Sequence, residues 1–184
     1  MLFALGAFRT YQRYQAIQKL APVSEFYPFS GPLVWVETKI RGEVPDGEIP
    51  VSAYLPFVTM EAIKLQYNVG EAFHSTEDLG AAVRIIGPKE VFAFFPDDYA
   101  GFFRGLAESH ELTFFYCGLC DQFTGEDLEA LSHFRSLKCI ELWWAEITDV
   151  GHLEFPSLES FYLGGGEVDV SLIESLKKAR TFTP

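Results

Sequence analysis

The chain has 184 residues, a net charge of −12 and 48% apolar residues. That apolar content argues against disorder. The fourteen Lys and Arg are scattered, which argues against a nucleic-acid backbone or an anionic membrane surface as the main partner.

Leu5, Phe8, Tyr11, Tyr14, Ile17 and Leu20 recur every three residues, with Arg9, Gln12, Arg13 and Gln15 among them. The spacing predicts an amphipathic helix ending before Pro22. The first eight residues are apolar, too few for a membrane span of about 20. No secretory signal pattern is present, although residues 1–8 could end a longer apolar helix. Prolines punctuate residues 22–56. Between them LVWVETKI (33–40) alternates like a strand, and VPDGEIP (44–50) carries a Pro-Asp-Gly turn.

A second strand is expected around MEAIKLQYNV (60–69). Ser75 or Thr76 should cap a helix that runs to about Ile86, where Gly87-Pro88 stops it. From there short strands and helices alternate. Strands are predicted at 91–95, 112–117, 137–142 and 158–163, and helices at 100–110, 125–134 and 171–179.

Several motifs invite chemistry. CGLC (Cys117, Cys120) follows an apolar strand and precedes a helix, where a thiol pKa is lowered; thioredoxin-like proteins place a redox pair there. A thiol–disulfide oxidoreductase using Cys117 and Cys120 is therefore the alternative functional reading. It predicts antiparallel pairing near 158–168 and a cis peptide before Pro156. With His133 and Cys139 the same cysteines have zinc-like spacing, but in a repeat frame Cys117 points inward and Cys139 outward, so coincidence is preferred and no metal site is expected. Gly164–Gly166 is a weak phosphate-loop candidate, since neither full glycine motif is present; a turn leaving a strand is preferred. Asp97-Asp98 reads as an acidic turn, and His74, His110, His133 and His152 are scattered. No catalytic constellation emerges, so no enzyme and no cofactor are expected. Three cysteines are too few for a disulfide framework, which suggests a reducing, cytoplasmic setting.

The strongest signal is internal. FRSLKCIELWWAEI (134–147) and FPSLESFYLGGGEV (155–168) lie 21 residues apart and share Phe, Ser, Leu, Leu and Glu at matching positions. Ile140 falls over Phe161, and Ile147 over Val168. Leu137-x-x-Ile140-x-Leu142 and Leu158-x-x-Phe161-x-Leu163 repeat one pattern, and Leu112-x-x-Phe115-x-Cys117 follows the same frame. Val91-x-x-Phe94 reads as a degenerate first copy and Ala179-x-x-Phe182 as a truncated last one. A fixed period with L-x-x-L-x-L at the strand resembles the leucine-rich-repeat proteins, in the short bacterial form. Position nine usually holds Asn or Cys. Cys120 fits, whereas Ala145 and Gly166 do not.

The resemblance implies an α/β fold: a short stack of parallel strands and return helices at 89–184, capped by a helix and strand-rich α+β segment at 1–88. It also implies a non-catalytic protein-interaction or scaffolding module. Strand residues alternate faces, so Phe92, Phe95, Phe114, Tyr116, Glu141 and Tyr162 should leave the core face, with Trp143 and Trp144 at its edge. The expected binding residues are Phe114, Tyr116, Glu141, Trp143, Trp144 and Tyr162, facing a basic or neutral protein surface. The competing expectation is that the first 90 residues cover this face and make it core.

Overall fold

The structure, a computed structural model, describes residues 2–22, 24–26, 29–30, 54, 59–65, 72–94, 98–107, 109, 111–118, 120–145, 147, 153–166 and 181–183. The chain is α/β, and its described strands form one eight-stranded sheet. The strand and turn expected at 33–50 and the helix expected at 171–179 lie outside the described residues.

Helix α1 (Leu2–Leu20) forms as its periodicity predicts, but its apolar stripe is only half used. Ile17 and Leu20 are fully buried, whereas Leu5, Phe8, Tyr11 and Tyr14 are exposed. The buried face also includes Ala16 and Arg13. Arg13 Nη1 donates to the Ile86 carbonyl at 2.9 Å, satisfying an acceptor left over at a helix end. Burial pulls the guanidinium down to about 10, with Glu111 acting in the opposite direction.

Strands β1 (Ser24–Phe26) and β2 (Phe29–Ser30) pair antiparallel with β3 (Thr59–Leu65). After β3 the chain alternates helix and strand: α2 (Thr76–Ile86), β4 (Pro88–Ala93), α3 (Tyr99–Leu106), β5 (Phe114–Cys117), α4 (Gly125–Ser132), β6 (Cys139–Trp143). Then follow β7 (Ser160–Gly164) and β8 (Thr181–Thr183). From β3 to β8 each strand lies parallel beside the one before it. Among the described strands none is skipped from β3 to β8.

The helices start where short polar side chains can satisfy their first amides. Ser75 caps α2 by accepting from Asp78 N at 3.1 Å. Asp98 caps α3 by accepting from Gly101 N at 2.7 Å; the proposed acidic turn is thus, at Asp98, a helix cap. Thr124 and Asp127 form a reciprocal capping box on α4. Gly87 ends α2 in the left-handed region at φ 68°. Helices α2 and α3 touch backbone to backbone, because a Cβ on Gly80 or Gly105 would strike the Phe102 or Glu77 carbonyl.

The core explains the period. Ile63, Val91, Phe115, Ile140 and Phe161 are consecutive neighbours across five strands, and Phe161 pairs in turn with Phe182. Leu65, Ala93, Cys117, Leu142 and Leu163 form the next row. All ten residues of these two rows before Phe182 are buried, each Leu or Phe contributing about 1.5–3 kcal/mol. Phe103 of α3 sits against the Phe115 ring at 5.1 Å and also meets Tyr99, Phe102, Phe123 and Phe134.

Two features of the sequence frame are corrected. The copy in β4 is Pro88-x-x-Val91-x-Ala93, three residues earlier than expected, because Val91 and not Phe94 lies beside Phe115. Met60-x-x-Ile63-x-Leu65 follows the same spacing, and Met60, Ile63 and Leu65 are all fully buried. The sequence division at 88/89 therefore falls inside β4, and one sheet runs across it. The antiparallel pairing and cis peptide of the thioredoxin-like alternative are not found. Strand β7 is parallel to both neighbours, and no described peptide bond is cis. Among the described residues, no helix is long and apolar enough to cross a membrane.

Candidate interaction face

With the positions above committed to the core, alternation sends the residues between them to the other side of the sheet. Strand β4 presents Glu90 and Phe92 there, β5 presents Phe114 and Tyr116, β6 presents Cys139, Glu141 and Trp143, and β7 presents Ser160 and Tyr162. All of these are half-buried, in contrast to the rows beneath them. Five of the six expected binding residues thus come together on three adjacent strands. The sixth, Trp144, stands just past β6 with 61% of its surface exposed.

Register sets their neighbours. Phe92, Tyr116, Glu141 and Tyr162 are successive partners across β4 to β7. The rings form two groups. Phe92 lies 5.3 Å from Phe114 and 5.7 Å from Tyr116, and Phe94 lies 5.4 Å from Tyr116. On the far side, Trp143 lies 5.2 Å from Tyr162. Glu141 separates the two groups. The Lys64 ammonium sits 5.6 Å from the Phe94 ring centre, at the β3 side of the face.

Phe94 is a residue that the shifted frame missed. Expected in the core, it instead lies beside Tyr116 on the face opposite the buried rows; Phe95, expected on that face, lies outside the described residues. Glycines make room for these rings. A Cβ on Gly118 would sit 2.5 Å from the Phe94 ring, and one on Gly164 would sit 2.5 Å from the Trp143 indole. Trp144 covers Gly165, and the Ala145 carbonyl meets Gly166. Gly164–Gly166 is therefore the counterpart of Trp143–Ala145 on the next strand, left without side chains. Gly165 and Gly166 also adopt positive φ values of 77° and 95°. Trp144 itself sits at φ 68°, unusual for an aromatic residue.

The face is acidic and partly desolvated. Burial, and then the Glu141 charge, push the Tyr116 phenol up. Burial also pushes the Cys139 thiol up. A hydrogen bond with Ser160 opposes this shift, while Glu141 and Glu90 reinforce it. The Trp143 Nε1 donor is buried without a hydrogen-bond partner among the described residues.

The cysteine motifs resolve differently. Cys117 and Cys120 are fully buried beneath the sheet and joined as a disulfide. The turn after β5 brings their Cα atoms to 5.9 Å, within bridging range. The Tyr99 hydroxyl lies 3.0 Å from Cys117 Sγ. Cys139 is on the opposite face and His133 is at the exposed end of α4, so the four zinc-spaced residues do not converge. A separate concavity of about 590 Å³ lies on the helical side, lined by Phe103, Phe134, Arg104, His133 and Arg135 among others; none of the expected site residues belongs to it. Compared with protein-family models, curated proteins and solved structures, the chain matches none.

Proposed function

We propose that this chain is a leucine-rich-repeat module that binds a protein partner through the open face of its sheet and carries out no reaction of its own. One observation carries the reading: Phe114, Tyr116, Glu141, Trp143 and Tyr162 project from three neighbouring strands on the face opposite the helices, with exposed Trp144 beside them. Aromatic residues dominate interaction hot spots, and a folded chain gains little by leaving an indole in water. The buried first, fourth and sixth positions of each unit, in register across the sheet, support the repeat assignment. Ala145 and Gly166 depart from the family pattern. At Trp143 and Trp144 backbone bonds hold the turn instead: Cys120 N donates to the Trp143 carbonyl at 3.1 Å, and Trp144 N to the Gly164 carbonyl at 3.0 Å.

Affinity capture with wild-type protein and with Trp144→Ala and Tyr162→Ala variants tests this. A partner held by the wild type and released by both folded variants is the expected result. Equal capture by all three sinks the face. The second reading, a thiol–disulfide oxidoreductase, is favoured by the Cys117–Cys120 disulfide. It requires an opening motion, since neither sulfur reaches the surface.

A further inference from the structure

Glu141 is the odd residue on the face. Its strand neighbours across the sheet are Tyr116 and Tyr162, and Trp143 lies two residues along the same strand. The carboxylate is half-buried, and neither a hydrogen bond nor an ion pair holds it among the described residues. A chain that needed only packing here would gain by placing an apolar residue among the rings. Its charge adds to burial, the larger cause, in raising the Tyr116 phenol and the Cys139 thiol. Glu90 adds a second negative charge on the same face. Lys64, engaged over Phe94, stands three strands away from Glu141, and Lys138, just before β6, is paired with Glu159 at 3.4 Å.

We propose that Glu141, with Tyr116 and Tyr162 on the two neighbouring strands and Trp143 along its own strand, is an arginine site: it receives a guanidinium group from a partner protein, which the carboxylate grips and the rings flank. The inference rests on the interaction-face reading and names the chemistry of its central contact. A cation is required because Glu141 is anionic and aromatic rings have negative faces. Arginine suits this group of residues better than lysine. Its planar group stacks on rings and grips a carboxylate with two parallel N–H donors, whereas an ammonium is a compact, strongly hydrated point charge. The net charge of −12 favours approach of a basic segment.

The test uses the full chain and two small probes, N-acetylarginine amide and N-acetylcitrulline amide, which have nearly the same shape but differ in charge. The Trp143 indole N–H signal is followed by NMR during titration. Arginine amide should shift it saturably, and citrulline amide about tenfold more weakly. Glu141→Gln should weaken arginine amide by a similar factor while leaving the unfolding midpoint in place. Added salt should weaken the wild-type interaction. If citrulline amide binds as well as arginine amide, or if Glu141→Gln changes nothing, the arginine site is overturned while the aromatic face stands. If neither probe moves Trp143, the arginine site is likewise overturned; the face is then judged separately by partner capture with Trp144→Ala and Tyr162→Ala.

Discussion

The Trp143 indole lies across Gly164 of the next strand, so close that a methyl group on Gly164 would come within 2.5 Å of the ring. The two residues occupy the same position in successive copies of the repeat, one large and one empty. Gly164→Ala should therefore cost about 1–3 kcal/mol, because the indole must leave its rotamer or the strands must part. Gly6 in α1 is the control, since nothing lies within 4 Å of its would-be Cβ. Gly6→Ala should gain up to about 1 kcal/mol from helix propensity. Urea unfolding midpoints compare the two, and equal effects would contradict the ring-over-glycine packing.

Trp144 combines a strained backbone with an exposed ring. Replacing it by glycine relieves the positive φ, against the entropy that glycine adds to the unfolded chain. Trp144→Gly should leave stability within about 0.5 kcal/mol of wild type while reducing partner capture. Tyr162→Ala should be intermediate, costing about 1–2 kcal/mol, since its ring is half-buried and packs at a tilt against Trp143. A loss of about 3–5 kcal/mol at either position would identify core residues instead.

Asp127 links stability to pH. Burial raises its carboxyl pKa, opposed by hydrogen bonds from Thr124. Thr124 N and Oγ1 donate to Asp127 Oδ2 at 2.7 and 2.9 Å. With the folded pKa above the unfolded one, the ionised form is disfavoured in the fold, so its contribution improves as pH falls through the folded value towards the unfolded one. Asp127→Asn keeps an acceptor without the charge. It should match or exceed wild-type stability at neutral pH, and the difference should close in acid. Asp127→Ala should lose about 1–2 kcal/mol throughout, through the lost cap. Thermal unfolding across pH distinguishes these outcomes; a variant Asn protein gaining on wild type as pH falls would refute the sign.

Thiol chemistry separates the two functional readings. Native, unreduced protein should label at a single thiol, Cys139, and slowly, because burial and nearby carboxylates hold that thiol up. Cys139→Ser should abolish the signal. Cys117 and Cys120 should label only after reduction and unfolding. A rapidly reacting pair in reduced, folded protein would instead favour the oxidoreductase.

Much of the local order follows from the chain alone. Leu112, Leu137 and Leu158 open three copies whose fourth residues, Phe115, Ile140 and Phe161, are true neighbours in the sheet. Apolar spacing decides which side of a strand is buried, and that in turn placed Tyr116, Glu141 and Tyr162 together on the other face of the sheet. Ser75, Thr124 and Gly87 mark helix ends for equally local reasons. Other outcomes depend on contacts between distant residues. Pro88 opens β4 and moves its copy by three, because Val91 is the residue that fills the space beside Phe115. The stripe of α1 has helical period throughout, yet Ile17 and Leu20 are buried while Leu5 and Phe8 stay exposed. Gly164–Gly166 reads as a turn leaving a strand, but that Trp143, Trp144 and Ala145 lie over it is decided by the neighbouring strand. Periodicity is written into a single strand, whereas the ring or carbonyl that occupies a glycine's empty space belongs to another strand and is set only when the register of the sheet is formed.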